Sequence, residues 1–233
     1  MRIAPIDPNL NIVRDGLVAW YDARFQTSYP TSGTTLYDLS GNEVDGTLIN
    51  GVGYSSADGG TLTFDGVNDA VQLGNASNII GSSQSAITVN TWLKTDVINS
   101  YRKIITSTTS GTKTIQGIYL SIGTSPYNLY FGIKTNVSTK SAVYTTNIST
   151  SDYSNICGTY DGSYIRLYLN GTQVAITSHS GNIGNSGIMR ISGYDDGSEI
   201  WDGNIANLSI YNTALSSDEI THNYNQQKVR FGL

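Results

Sequence analysis

The stretch GNIANLSIYNTAL, residues 203–215, decides how the rest of the chain is interpreted. Its apolar positions include Ile205, Leu208 and Ile210, and polar side chains stand between them. Alternation of this kind is typical of a strand with one buried face and one exposed face. The alternation is slightly out of register near Ala206 and Asn207. We predict that this strand closes a sheet.

A helix start follows this strand directly. Ser216 is followed three places later by Glu219. This spacing is a capping-box signature, in which the two side chains satisfy backbone N–H groups that the first helical turn leaves unpaired. We therefore predict a short C-terminal helix that covers the open edge of the sheet.

The composition describes a polar but weakly charged chain. Of the 233 residues, 38% are hydrophobic and only 13% are charged, and the net charge is −5. The length allows one large all-β domain or two small ones. The sequence has no basic stripe, which excludes nucleic acid as an expected partner and also excludes electrostatic binding to an anionic membrane.

The termini and the single cysteine limit where and how the protein folds. Cys157 is the only cysteine, so no intrachain disulfide can form, and we predict a small buried apolar side chain at that position. The N-terminus has no apolar segment of the kind found in signal peptides, and no run reaches membrane-spanning length. We expect a protein that is made in the cytoplasm.

Residues 1–15 are predicted to form an extended N-terminal arm. Pro5 and Pro8 disfavour helix in the residues before them, and several neighbouring residues are apolar. Such an arm either lies on its own domain or on a neighbouring subunit, or is a frayed terminus. Residues 16–233 are then predicted to form a single domain that includes the C-terminal helix and tail.

The middle of the chain has the strand-and-turn spacing of a β-sandwich, with no useful helical period before Ser216. The predicted strands before the opening stretch include residues 16–21, 47–49, 61–64, 70–73, 86–95, 103–106, 117–123, 129–134, 142–148, 155–160, 164–170, 173–176 and 187–193. Two sheets bury this many short strands economically, so we predict an all-β jelly-roll sandwich of two antiparallel sheets.

Several motifs recur in an order that resembles a known superfamily. They are residues 17–22 (LVAWYD), 37–42 (YDLSGN), 45–48 (DGTL), 62–69 (LTFDGVND), 159–162 (TYDG), 167–171 (LYLNG) and 203–215. The ordered set resembles the concanavalin A-like lectin/glucanase superfamily, in its laminin-G-like branch. The resemblance implies the same jelly-roll fold for residues 16–233.

The C-terminal residues 220–233 resemble the ends of laminin-G-like proteins in tailed-bacteriophage virions. That resemblance implies a non-catalytic structural protein of the virion, either a capsid decoration protein or a tail-fibre component. A protein of this kind would form a homo-oligomer, bind other virion proteins and lie on the virion surface.

The residues expected of a hydrolase are missing from the sequence. Hydrolases of this superfamily carry the motif E-x-D-x-x-E on one strand, and retaining enzymes need two carboxylates about 5–5.5 Å apart. The chain has only Glu43, Glu199 and Glu219, which lie far apart in sequence. His179 and His222 have no zinc-ligand spacing and are expected to be exposed. We predict that the protein is not an enzyme.

Calcium is the cofactor that the family resemblance implies. Laminin-G-like domains often hold one ion with carboxylate, amide and carbonyl oxygens. The matching candidates here are Asp38, Asn42, Asp45 and Asp202. The alternative is that these residues only cap turns. Relatives often carry an acidic pair in the closing strand, where this chain has Ala206-Asn207.

Carbohydrate binding is the alternative function, since sugars stack on exposed aromatic rings. The available tyrosines are Tyr101, Tyr119, Tyr127, Tyr130, Tyr144, Tyr164 and Tyr168. Tyrosine is also common on sheet faces that bind no ligand. In this second hypothesis the protein recognises a host or extracellular polysaccharide, and the sequence does not select the binding residues.

Overall fold

The computed structural model describes residues 11–81, 84–97, 100–124, 127–146, 148–184 and 186–233, and these fold into two antiparallel sheets of eight strands each. Sheet A contains β1 (Leu17–Asp22), β4 (Gly53–Ser55), β5 (Thr61–Asp65), β7 (Ile87–Thr95), β12 (Ser154–Tyr160), β13 (Tyr164–Leu169), β14 (Thr172–Ser178) and β16 (Asp202–Tyr211). Sheet B contains β2 (Thr35–Leu36), β3 (Gly46–Ile49), β6 (Ala70–Asn75), β8 (Arg102–Thr108), β9 (Ile115–Gly123), β10 (Asn128–Lys134), β11 (Thr139–Thr145) and β15 (Ile188–Ile191). The predicted all-β sandwich is confirmed.

Helical structure is confined to short segments within the described ranges. They are α1 (Ala76–Ile80), α2 (Ser217–Gln227) and the 3-10 turns Ala57–Gly59 and Lys228–Phe231. The first helix and the first turn were not predicted, because five residues or fewer leave no readable helical period. No helix in the described part of the chain is long and apolar enough to span a membrane.

The strand β16 lies in the middle of sheet A, which corrects the prediction that it closes an open edge. Along one side it pairs with β7. Along the other side residues 202–205 pair with β5, and residues 207–211 pair with β1. A register shift between Ile205 and Asn207 explains the break in alternation, because a bulge moves the following side chains to the opposite face. The strand therefore joins three neighbours.

The core lies between the sheets and is built from the alternating apolar residues of both. Val89 and Leu93 of β7 and Leu167 of β13 face it from sheet A, and Leu120 and Phe131 face it from sheet B. All five are inaccessible to solvent. Large apolar side chains of this kind stabilise a fold by about 1.5–3 kcal/mol each when fully buried.

The outer, more polar face of β7 is also buried, because the C-terminal segment covers it. Trp92 stacks with Tyr224 of α2 and with Phe231, at ring-centroid distances of 5.5 Å and 4.4 Å. Phe231 also stacks on Tyr153 at 4.5 Å. The buried Cys157, as predicted, packs in a neighbouring apolar cluster on the same outer face of sheet A.

The helix α2 is fixed across this outer face by its cap and by buried amides. The predicted capping box is present: the Ser216 hydroxyl accepts from the N–H of Glu219 (3.3 Å), whose carboxylate accepts from the N–H of Ser216 (2.8 Å). Asn223 donates to the Tyr211 hydroxyl, and Gln227 accepts from the amide of Asn207. The helix thus covers a sheet face rather than an edge.

The described part of the predicted arm lies on its own domain. Ile12 is buried among residues of the apolar cluster that contains Trp20 and Leu39. The N–H of Val13 donates to Asn223 of α2 at 2.8 Å. Residues 1–10 of the predicted arm lie outside the described residues.

Candidate functional site

Three tyrosine rings cover the outer face of sheet B. Tyr119 belongs to β9, Tyr130 belongs to β10, and Tyr101 directly precedes β8. Their neighbours in the same strands, such as Leu120 and Phe131, face the core. Strand alternation therefore directs the tyrosines outward. The rings of Tyr101 and Tyr130 have centroids 6.3 Å apart and are inclined by 39°.

These rings lie over glycines of the adjacent strands. Gly132 pairs with Tyr119 in the β9–β10 register, and a Cβ atom at Gly132 would overlap the Tyr119 ring. A Cβ atom at Gly123 would lie 2.7 Å from Tyr130 and 2.8 Å from Tyr101. Neither glycine has the left-handed backbone that favours glycine, so space for the rings explains these two residues. Tyr194, in the loop after β15, lies beside the same lysine as Tyr101 and Tyr119, and we call Tyr101, Tyr119, Tyr130 and Tyr194 the tyrosine platform.

A buried lysine forms the centre of the platform. The ammonium nitrogen of Lys103 lies 5.1 Å from the ring centroids of Tyr119 and Tyr194 and 6.0 Å from that of Tyr101. It also forms an ion pair with Glu199 at 3.2 Å. Burial lowers the pKa of Lys103, and the charge of Glu199 opposes that shift. The rings thus surround a cation whose charge is balanced locally.

The loop between β15 and β16 supplies the remaining residues of this face. Burial raises the pKa of Tyr194 to about 12, and nearby Glu199 contributes in the same direction. Asp195 accepts from the N–H of Gly111 (2.6 Å) and forms an ion pair with Arg190. The hydrogen bond from Gly111 is the largest cause of a lowered pKa at Asp195, and Arg190 adds to it. Charged hydrogen bonds therefore anchor this loop to the β8–β9 turn and to β15.

Only part of the tyrosine set predicted from sequence comes together here. Tyr164 is exposed on sheet A, Tyr168 is buried on the outer face of that sheet, and Tyr144 packs against the core. Tyr127 lies in the turn before β10. Sequence reasoning missed Tyr194, Lys103 and Glu199. The alternation of β9 and β10 could have predicted that Tyr119 and Tyr130 face outward. No sequence pattern predicts that the β15–β16 loop packs against β8.

Three of the four predicted calcium ligands share the loop between β2 and β3. Asp38, Glu43 and Asp45 line a pocket of about 320 Å³ together with Gly41. The oxygens of Asp38 already accept bonds from the N–H groups of Trp20, Ser40 and Val44 and from the Ser40 hydroxyl. Asp45 accepts from the N–H of Asp38 at 2.9 Å.

Asn42, in the same loop, and Asp202, the fourth predicted ligand, do not complete a metal site. The side-chain amide of Asn42 donates to the carbonyls of Leu17 and Val18. Asp202 lies at the far end of β16, seven residues before Ser209, which pairs with Trp20 beside Asp38. That separation is roughly 20 Å along a strand. No group of three His, Cys, Asp or Glu side chains suited to a metal occurs among the described residues.

The glutamates and histidines occupy separate places. Glu43 lies in the β2–β3 loop, Glu199 on the platform and Glu219 in the cap of α2. His179 is only 6% exposed, which corrects the expectation of an exposed residue. It lines a pocket of about 340 Å³ beside Lys140, and burial lowers its pKa. The ring of His222 contacts the carbonyl of Asn11 at 2.5 Å.

Comparison with solved structures finds the same fold in carbohydrate- and receptor-binding domains. Domain 4 of AbnA, a GH43 extracellular arabinanase from Geobacillus stearothermophilus in complex with arabinotriose, has a TM-score of 0.67 at 16% identity, covering 89% of this chain and 98% of that one. The receptor binding domain of the botulinum neurotoxin C/D mosaic serotype has a TM-score of 0.71 at 18% identity, and the match covers 92% of this chain and 52% of that one. The ligand binding domain of botulinum neurotoxin serotype D, in complex with N-acetylneuraminic acid, has a TM-score of 0.69 at 17% identity. That match covers 92% of this chain and 52% of the toxin domain.

The chain spans about half the length of the two toxin domains. No curated protein sequence matches it. A family model does match residues 64–221, well over half of the chain, and its description is Laminin_G_3 of the concanavalin A-like lectin/glucanases superfamily. The sandwich, the motif order and this match agree, and the chain belongs to the Laminin_G_3 family of concanavalin A-like lectin/glucanase domains.

Proposed function

We propose that the protein is a non-catalytic carbohydrate-binding domain and that the tyrosine platform is its binding surface. The observation that carries the proposal is the placement of Tyr119 and Tyr130 over Gly132 and Gly123. A sugar ring has an apolar face of C–H groups, which packs on an aromatic ring. Tyrosine rings that lie along the sheet offer aromatic surfaces side by side, on which successive sugar rings can pack.

The environment of the rings supports this assignment. Tyr101 is 45% exposed, and Tyr119 and Tyr130 are partly exposed, so a ligand can reach them. Charged side chains border the rings, among them Lys103 and Glu199. Binding sites for small molecules combine aromatic surface with a few placed polar groups. Among domains of the same fold, one was solved with arabinotriose and another with N-acetylneuraminic acid.

The absence of catalysis is part of the proposal. Retaining glycoside hydrolysis needs two carboxylates about 5–5.5 Å apart around the scissile bond. Glu43, Glu199 and Glu219 lie in three separate places, and Asp195 is engaged by Arg190. We expect binding of an oligosaccharide without its cleavage.

The virion role remains a prediction from the C-terminal resemblance, together with the homo-oligomer, the virion partners and the surface location. It is compatible with carbohydrate binding, since a virion protein can adhere to host polysaccharide. Measurement of the native mass and of binding to phage particles tests it separately.

The decisive experiment removes rings one at a time. We expect Tyr119→Ala and Tyr130→Ala each to weaken binding of the best glycan-array ligand by at least about tenfold, because aromatic anchors dominate binding energies. Tyr164→Ala is the matched control, since this ring is 43% exposed but lies on sheet A. Calorimetry on the three folded variants gives the affinities. Equal losses in all three variants, or no array ligand at all, would contradict the proposal.

A further inference from the structure

We propose that the tyrosine platform selects uncharged, hydroxyl-rich oligosaccharides over acidic ones and that the Glu199 carboxylate makes this selection. The inference rests on the proposed function and adds the class of sugar. A carboxylate accepts hydrogen bonds from hydroxyl donors and repels the carboxylate or sulfate groups of acidic sugars.

The two charged side chains at the centre of the platform differ in how exposed they are to a ligand. Lys103 and Glu199 form an ion pair at 3.2 Å, and 8% of the lysine side chain is exposed against 26% of the glutamate side chain. The ammonium is also enclosed by the rings of Tyr119 and Tyr194. We therefore expect a bound sugar to contact the exposed part of the glutamate side chain, while the cation holds the carboxylate from behind through its buried Oε2 oxygen.

The backbone fixes Glu199 in an unusual conformation. Its φ angle is 54°, in the left-handed region that non-glycine residues seldom adopt. The carbonyl of Glu199 accepts from the N–H of Lys103 at 2.8 Å, and the N–H of Tyr194 donates to Ser198 at 2.9 Å. Strained residues held by their surroundings cluster at functional sites, and this one carries the partly exposed carboxylate beside the platform.

Among the described residues, one further cation of this face is paired with a carboxylate, which weakens its attraction for an acidic sugar. Arg190 is paired with Asp195. The ammonium of Lys113 lies 5.8 Å from the centroid of the Tyr194 ring. Its charge contributes to the lowered pKa of Asp196, which lies in the same β15–β16 loop as Tyr194. Together with the central pair, two cations of this face are thus held by carboxylates. Such a surface suits an uncharged ligand whose hydroxyl groups replace water.

The test compares neutral and acidic oligosaccharides of equal length, with arabinotriose as the neutral probe and a uronic-acid trisaccharide as the acidic probe. For the unmodified protein we expect neutral probes to bind at least about tenfold more tightly than acidic probes. Glu199→Gln removes the negative charge and leaves Lys103 unbalanced, so we expect this preference to disappear. Glu43→Gln is the matched control, because Glu43 also has a positive φ (60°) and lies in the β2–β3 loop.

The outcomes separate this inference from the proposed function. Acidic probes that bind as tightly as neutral ones, with binding lost in Tyr119→Ala, overturn the selection and leave the binding surface in place. An unchanged preference in folded Glu199→Gln also overturns the role of this carboxylate. Failure of every probe to bind the unmodified protein overturns both.

Discussion

Gly132 shows how a single residue shapes the candidate site. Its backbone is extended and open to any residue, yet a methyl group there would occupy the space of the Tyr119 ring. Tyr119 can lie along the sheet only because the adjacent strand presents no side chain beneath it. The sequence shows a glycine in a strand, which by itself indicates a bulge or a close approach without saying which group approaches.

Replacement of Gly132 by alanine is therefore expected to affect binding more than folding. Alanine is favoured over glycine within a strand by roughly 0.5–1 kcal/mol, and this gain offsets part of the cost of moving the ring. We expect at least about tenfold weaker glycan binding, with the unfolding free energy within about 1 kcal/mol of the original. Calorimetry and urea denaturation measure the two quantities.

A double-mutant cycle identifies the cause of that loss. If Gly132→Ala acts by displacing Tyr119, it has no further effect on binding in a Tyr119→Ala background. Additive losses in the double variant would instead place the effect of the methyl group elsewhere on the sheet.

At the scale of elements, β7 shows what sequence patterns can and cannot predict. Its alternation predicts the strand, and Trp92 on the polar side indicates that this side is partly buried. The structure buries that side with the C-terminal segment, through Tyr224 and Phe231. The capping box of α2 is a local signal and was predicted, whereas the central position of β16 depends on pairing between distant strands. For the same reason the β15–β16 loop could not be assigned to the platform.

The C-terminal 3-10 turn is expected to stabilise the whole sandwich. Phe231 stacks on Trp92 and Tyr153 while remaining partly exposed, so its truncation removes less than a fully buried ring would. We expect Phe231→Ala to lower the free energy of unfolding by about 2 kcal/mol. Urea denaturation followed by tryptophan fluorescence measures this change.

Val229→Ala is the control for this experiment, because Val229 lies in the same turn and is 77% exposed. We expect its effect to stay within about 0.5 kcal/mol. Equal effects of the two substitutions would mean that the contact with Trp92 contributes nothing to stability.

At the scale of the whole molecule, the β2–β3 loop with its acidic residues and the tyrosine platform lie in different regions. Asp38 links the β2–β3 loop to β1 through its bond with the N–H of Trp20, whereas Glu199 reaches β8 of sheet B. The family resemblance suggested the first region as a metal site, whereas the sequence did not select the second region among seven candidate tyrosines. The hydrogen bonds that occupy Asp38 depend on tertiary contacts, which the spacing of acidic residues does not reveal.

The effect of calcium on stability tests the predicted ligands. Because Asp38 and Asp45 already accept several hydrogen bonds and Asp202 lies at the other end of β16, we expect the same Tm in calcium and in EDTA. A ligand that binds only the folded state raises stability with its concentration. A Tm that rises with calcium and loses this response in Asp45→Asn would contradict the expectation and assign a site to the loop.

The C-terminal turn and the tyrosine platform lie on opposite outer faces of the sandwich, and this arrangement gives the molecule a direction. A protein attached to a bead or sensor through Leu233, which is 47% exposed, would hold sheet A toward the support. Its tyrosine rings would then face the solution. Many copies fixed in this way would present parallel surfaces to one polysaccharide, and weak individual contacts would combine into strong retention.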